Sequence, residues 1–321
     1  MKEKFIGKTI AVIGDSITES GKQFYYLRSY FQNSKDKCYL YNRGTCGNRA
    51  VMFPYLFDDE IKELKADYVM ISYGVNDLGI WLYDNLKPVT SELLAKRKVR
   101  DEEYFESIYK SIKVVKEYGA TPIILSPFAV NELLIEKEYI ETVADNDEKE
   151  DNLKPSFYTR ATFRNINLAL KGYANKLKEI AKETGVEYIP AFEKTYEEML
   201  KQTNMFSEDG VHYTANVGLK FIAQIMLEYL GCTNIPNEFY KTPENDEIER
   251  LEKLERDAGG ILRGTPYNKY FGNFSEEEMI INAQNAVKEN GWGTDRAKLY
   301  LKYYKELPSL RTKIRNLTEK L

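Results

Sequence analysis

The chain has 321 residues, of which 43% are hydrophobic and 30% charged, with a net charge of −4. That length supports a large core without disulfides or metal, and the nearly balanced, interspersed charge gives no electrostatic footprint for nucleic acid. The three cysteines, Cys38, Cys46 and Cys232, share no metal-ligand or disulfide spacing and read as reduced thiols.

The apolar run behind the charged start Met1-Lys2-Glu3-Lys4 is broken by Lys8, unlike a secretory leader, and no stretch approaches the roughly 20 apolar residues of a membrane span. The expectation is therefore a cytoplasmic protein with no membrane partner, no nucleic-acid partner, no cofactor and no metal. Ile10-Ala11-Val12-Ile13 reads as a buried parallel strand that ends in Gly14-Asp15-Ser16. Ser16 then emerges at the carboxyl edge, where open α/β sheets bind ligands. A helix is predicted over residues 22–33 and a second strand over 38–41. The turn-rich loop Asn42-Arg43-Gly44-Thr45-Cys46-Gly47-Asn48 follows.

A helix over residues 52–64 precedes a third strand over 67–73, which ends in Gly74-Val75-Asn76-Asp77. Residues 79–100 read as a long connection interrupted by Pro88, before a helix over 102–118. The fourth strand covers 122–126, and the acidic stretch 136–151 reads as an exposed insertion. A helix over 160–184 carries a single apolar stripe and is closed by Gly185. Then come a fifth strand over 186–189, a helix over 192–202, the loop Ser207-Glu208-Asp209-Gly210-Val211-His212, and a helix over 215–230.

Strands alternating with helices predict an α/β fold, a three-layer αβα sandwich around a five-stranded parallel sheet. Past Gly231 the texture becomes charged and helical, which places a boundary between a catalytic domain, 1–232, and a helical extension, 233–321. Its helices are predicted over 246–257, 275–290 and 294–320, the last kinked at Pro308. Leu299, Leu301, Tyr303, Tyr304 and Leu307 supply an apolar stripe. Such a stripe suits packing on the body, covering a pocket, or a homo-oligomer interface.

His212 is the single histidine, so any serine nucleophile with a histidine base must use it. Asp209, three positions earlier, is spaced to hold Nδ1–H and leave Nε2 for the proton of Ser16. Asn76 at a strand end can donate its amide to an oxyanion, and Gly47 can add its backbone N–H. Taken singly, these residues are equally a loop histidine, a capping aspartate, and an asparagine and glycine chosen for their turns. Trp81 and Tyr83 follow closely in the long connection, where their rings can stack on a sugar or simply pack that connection down. No Gly-x-Ser-x-Gly elbow occurs, and Gly7-Lys8-Thr9 lacks the earlier glycine of a phosphate-binding loop.

Together the four segments resemble the SGNH hydrolases, also called GDSL-type esterases. Gly14-Asp15-Ser16 matches the first block, Asn42-x-Gly44-x-x-Gly47 is similar to the second, Gly74-Val75-Asn76-Asp77 to the third and Asp209-x-x-His212 to the last. The resemblance covers residues 5–232 and implies a flavodoxin-like sheet and a serine ester hydrolase. It implies Ser16 as nucleophile, His212 as base and Asp209 as its orienting partner. The N–H groups of Ser16 and Gly47 and the Asn76 amide would form the oxyanion hole, and Asp15 matches a position beside the nucleophile. Ile17 replaces the usual leucine, and Tyr213 stands where proline is frequent. The implied substrate is a small acyl ester, such as an acetylated carbohydrate. An acyltransferase would need the same residues, and a non-catalytic binding or scaffold protein is the alternative of another class.

Overall fold

The computed structural model describes residues 1–32, 34–54, 61–78, 91–135, 166–202, 204–232, 242–259, 275–290 and 294–321, with side chains in the helix that begins at Ser91 described from Arg100 onward. Five strands form one parallel sheet: β1 (Thr9–Gly14), β2 (Tyr39–Gly44), β3 (Tyr68–Ser72), β4 (Thr121–Leu125) and β5 (Glu187–Ile189). Their order is β2-β1-β3-β4-β5, the flavodoxin-like order. The central strands are near-continuous apolar runs because both faces are covered. Ile10, Ile13, Val69, Met70, Ile123 and Ile124 are all fully buried.

Among the described residues the α-helices are α1 (Ser16–Glu19), α2 (Lys22–Gln32), α3 (Val75–Leu78), α4 (Ser91–Tyr118), α5 (Ile166–Thr184), α6 (Ala191–Met199) and α7 (Gly218–Tyr229), followed by α8 (Pro243–Gly259), α9 (Glu276–Glu289), α10 (Thr294–Tyr303) and α11 (Leu307–Lys320). From β1 the chain moves outward to β2, and from β3 it moves the other way to β4 and β5. Right-handed crossovers therefore send α2 to one face of the sheet and α4 and α5 to the other. Accordingly α2 packs with α7, while Tyr104 of α4 stacks on Tyr173 of α5 with ring centroids 4.5 Å apart. The result is the expected three-layer sandwich.

Three of the differences from the sequence reading have a plain physical reason. β2 continues through Asn42 and Arg43 to Gly44, because all six of its residues pair in register with β1 and the ladder outweighs local turn preference. Helix α4 begins at Ser91, well before the predicted start; Glu92, Leu93, Leu94, Ala95 and Lys96 are good helix formers. The last predicted helix is two, α10 and α11, separated by a 3-10 turn over Tyr304–Glu306. Pro308 does not kink a continuous helix but lies in the first turn of α11, where its missing N–H costs nothing. Residues 79–90, with Trp81 and Tyr83, and the acidic stretch lie outside the described residues. Among the described residues, no helix is long and apolar enough to cross a membrane.

The extension packs on the sandwich through α8, which contributes Ile248 and Leu251 to the main core. Buried charges join the two parts as well. Arg28 of α2 meets Glu252 at 3.2 Å and Asn245 at 2.7 Å, and Arg43 of β2 meets Glu255 at 3.1 Å. Arg311 of α11 donates to the same Glu255 at 2.8 Å. A second, smaller cluster around Ala283, Ala297 and Tyr300 holds α9 and α10 together.

Candidate active site

The strand order reverses direction between β1 and β3, and the carboxyl edge at such a switch point is where open α/β sheets bind ligands. Ser16 is the first residue of α1, immediately after β1, and Asp15 is its N-cap. The Asp15 carboxylate accepts the Ile17 N–H at 3.0 Å, which turns the chain sharply and leaves Ser16 heading the helix. A backbone N–H in that position has no carbonyl of a preceding turn to bond. Asp15 itself is buried, and burial pushes its carboxyl up to about 6 against the pull of the Ile17 N–H and the nearby His212.

His212 arrives from the loop before α7. Its Nε2 lies 2.8 Å from Ser16 Oγ, and its Nδ1 lies 2.5 Å from Asp209 Oδ2. Asp209 Oδ1 accepts the Val211 N–H, the His212 N–H and the Ser207 hydroxyl, each at 2.9 Å. One carboxylate thus closes the loop and orients the ring. Burial alone would raise the Asp209 carboxyl, but the bonds from the imidazole and the two backbone N–H groups outweigh it and hold it well below the usual carboxylate range. An ionised acid on Nδ1 fixes the proton there and leaves Nε2 as an acceptor facing a hydroxyl.

The loop is anchored from outside by Tyr213, which stands where proline is frequent in the family it resembles. Its hydroxyl donates to the Ala129 carbonyl at 2.6 Å, and its ring packs on Phe206 and Phe128. A proline would stiffen the backbone at this point; tyrosine ties the same segment to the chain leaving β4.

Gly47 and Asn76 come from the ends of β2 and β3, the strands on either side of β1. The turn Thr45–Asn48 closes with Asn48 N–H donating to the Thr45 carbonyl at 3.1 Å. Gly47 is its third residue, with φ +77°, the value a type II turn requires there and other residues resist. Thr45 N–H donates to the Gly14 carbonyl at 3.0 Å, so this turn hangs directly on the strand that carries Ser16. The Asn76 amide donates to the Asn48 carbonyl at 3.1 Å. That bond uses one amide hydrogen, fixes the plane of the group and leaves its second N–H for an acceptor. Asp77 is buried and accepts the Ala50 N–H at 2.9 Å; burial pushes its carboxyl up to about 7.

Sequence reasoning overlooked four supporting residues. Ser207 braces Asp209, Asp77 ties the β3 loop to the β2 loop, and Asn131 donates its backbone N–H to the Gly210 carbonyl at 2.7 Å. Glu19 accepts the Cys46 N–H at 2.9 Å. Asp77 sits inside a recognised motif and was open to a sequence reader; the other three carry no local signal. Among the described residues, no group of three or more His, Cys, Asp or Glu side chains could hold a metal ion.

The family model for GDSL-like lipases and acylhydrolases matches residues 12–216. No curated protein sequence matches the chain. Among solved structures, the chain is similar to BT4096, a gut microbial diltiazem-metabolizing enzyme, at 15% identity and a TM-score of 0.70, over 100% of this chain and 95% of that one. It is also similar to Axe2, an acetylxylan esterase from Geobacillus stearothermophilus, at 19% identity and a TM-score of 0.52, over 73% of this chain and 100% of that one. A third similar structure is LAE5, an α/β hydrolase enzyme from the metagenome of Lake Arreo in Spain, at 18% identity and a TM-score of 0.52, over 71% and 97%. The likeness to BT4096 takes in the helical extension as well as the sandwich.

Proposed function

The chain belongs to the GDSL-like lipase/acylhydrolase family and is a carboxylic ester hydrolase, and from that premise we propose that it releases a small acyl group through a Ser16-His212-Asp209 triad. The observation that carries this reading is the continuous relay from Asp209 through both ring nitrogens of His212 to Ser16 Oγ. Ser16 Oγ attacks the ester carbonyl while its proton passes to His212 Nε2. The developing oxyanion is met by the N–H groups of Ser16 and Gly47 and by the second amide N–H of Asn76. Collapse expels the alcohol, which takes the proton from the imidazolium and leaves an acyl-enzyme. Water then attacks the acyl carbonyl, gives its proton to Nε2, and the returning proton restores Ser16 as the acid departs.

The substrate class we propose is an acetyl ester of a carbohydrate. Axe2, which shares the fold, is an acetylxylan esterase, and catalytic mutants of it carry alanine at a serine, at an aspartate and at a histidine. Those are the residue types proposed for the triad here.

The test is hydrolysis of p-nitrophenyl esters of increasing acyl length and of acetylated sugars, with Ser16→Ala and His212→Ala beside the parent. Acetate esters should be preferred, and each variant should lose about 10³-fold or more in kcat. Retention of the parent rate by either variant would sink the triad, and a preference for long acyl chains would sink the substrate class.

A further inference from the structure

Glu19 lies one turn after Ser16 on α1 and faces two ways. Its Oε2 accepts the N–H of Cys46, the residue before Gly47, at 2.9 Å. Its Oε1 accepts from Arg296 Nη2, on α10 of the extension, at 3.1 Å. Both side chains are largely buried, 15% exposed for Glu19 and 21% for Arg296. The backbone of Glu19 is fixed at the same time. Its N–H donates to the Asp15 carbonyl at 2.9 Å, and its carbonyl accepts from the Asn42 amide at 3.4 Å. The end of β2 is pressed so closely on α1 that a Cβ on Gly44 would stand 2.3 Å from the Glu19 nitrogen.

These contacts make Glu19 a bracket between the serine turn and the Thr45–Asn48 turn, with Arg296 as the outer brace. Without Arg296 the long carboxylate is held by the Cys46 N–H alone and carries an uncompensated charge. Both effects work against the oxyanion site. A looser Glu19 lets the Cys46 N–H wander, and a bare negative charge beside the turn opposes a developing negative charge on the substrate. Arg296 removes both, since a charge-assisted bond fixes the rotamer as well as offsetting the charge.

We propose that the helical extension is part of the catalytic unit, with Arg296 acting through Glu19 as a positioning residue that sets the Cys46–Gly47 backbone for oxyanion binding. The inference rests on the ester-hydrolase reading above, with Gly47 as an oxyanion donor. The turn itself can be followed without any substrate.

The experiment compares Arg296→Met, Arg296→Lys and Glu19→Gln with the parent, and uses Lys298→Ala, an exposed change on the same helix, as the control. Three quantities are measured: amide hydrogen exchange at Cys46 and Gly47 by NMR, kcat and KM on p-nitrophenyl acetate, and the melting temperature. In Arg296→Met, exchange at Cys46 should quicken about tenfold, and kcat should fall about tenfold with KM within about twofold, the scale of one charge-assisted bond. Arg296→Lys should recover part of kcat, and Lys298→Ala should match the parent in all three. Adding Arg296→Met to Glu19→Gln should cost little more than Glu19→Gln alone, because the arginine acts through the glutamate.

Unchanged exchange at Cys46 in Arg296→Met would overturn the proposal whatever the activity. So would faster exchange with full kcat, or a loss of kcat that tracks a lower melting temperature and is not relieved by lysine. A parent that hydrolyses no ester would instead refute the ester-hydrolase reading, and the exchange rates would still decide whether Arg296 holds the turn.

Discussion

Replacing Asp209 by asparagine separates the two tasks of that carboxylate. In the parent, Oδ1 accepts from Ser207, Val211 and His212 main-chain or hydroxyl donors at 2.9 Å, and Oδ2 accepts from Nδ1. Asparagine keeps an oxygen for the first set but sets an NH₂ group against Nδ1. Two donors cannot face each other, so the ring shifts to the tautomer with its hydrogen on Nε2. That hydrogen points at Ser16 Oγ, 2.8 Å away, and the base is lost. An Asp-to-Asn change of this kind in a serine protease triad costs about 10⁴-fold in kcat with the geometry intact, or roughly 5 kcal/mol of barrier. The stability cost is smaller, about 1 kcal/mol for one weakened, partly buried interaction.

Asp209→Ala should match the asparagine variant in activity but destabilise further, since it also abandons the loop donors. The assay is p-nitrophenyl acetate hydrolysis beside thermal unfolding. The Asp209 carboxyl is held below its ordinary value, so its stabilising contribution is fully present above the unfolded pKa, about 3.9, and disappears as pH falls through the lower folded value. The stability gap between parent and Asp209→Asn should therefore close as pH falls below about 4. An asparagine variant that keeps more than about a tenth of the parent kcat would refute the tautomer argument.

Asp77 gives the opposite sign: its carboxyl is pushed up to about 7, so the parent loses stability as pH rises from about 4 through that value. Asp77→Asn retains an oxygen for the Ala50 N–H, and its stability relative to the parent should climb across that window; a flat difference would show that Asp77 ionises freely. Tyr213→Phe strands the Ala129 carbonyl and should cost about 1–3 kcal/mol in thermal unfolding, with kcat altered only a few-fold. A kcat loss as large as that of Asp209→Asn would mean that the tyrosine does more than anchor the loop. Glu255→Ala leaves Arg43 and Arg311 facing each other's charge in a buried site and should destabilise by about 3–5 kcal/mol in denaturant titration. A variant within about 1 kcal/mol of the parent would show that the pair is solvated in solution.

Much of this arrangement is legible in the sequence. The runs at Ile10–Ile13 and Val69–Ile71 are apolar at every position because their strands are covered on both faces, and each ends in residues whose turn chemistry is local. Asp15 announces its N-cap, and Gly47 the positive φ of its turn, by side-chain type alone. Boundaries were less legible where tertiary pairing overrode propensity. Asn42 and Gly44 look like a turn until β1 pairs with them. The start of α4 was obscured by Pro88, which marks a break but does not say how soon a helix resumes.

The sequence by itself determined the alternation of strands and helices, the placement of Ser16, Gly47 and Asn76 at strand ends, and, through a single histidine, which side chain could serve Ser16 as a base. Only the tertiary structure decided what braces them. Tyr213 reaches the Ala129 carbonyl, Glu19 reaches across to Cys46, and Arg296 reaches Glu19 from 277 positions away in the chain. Periodicity and capping are properties of neighbours along the chain, so they register in a window of sequence. A bond between residues far apart in sequence leaves no such pattern and exists only once the chain has folded, and the Arg296–Glu19 pair only once the extension has packed on the sandwich.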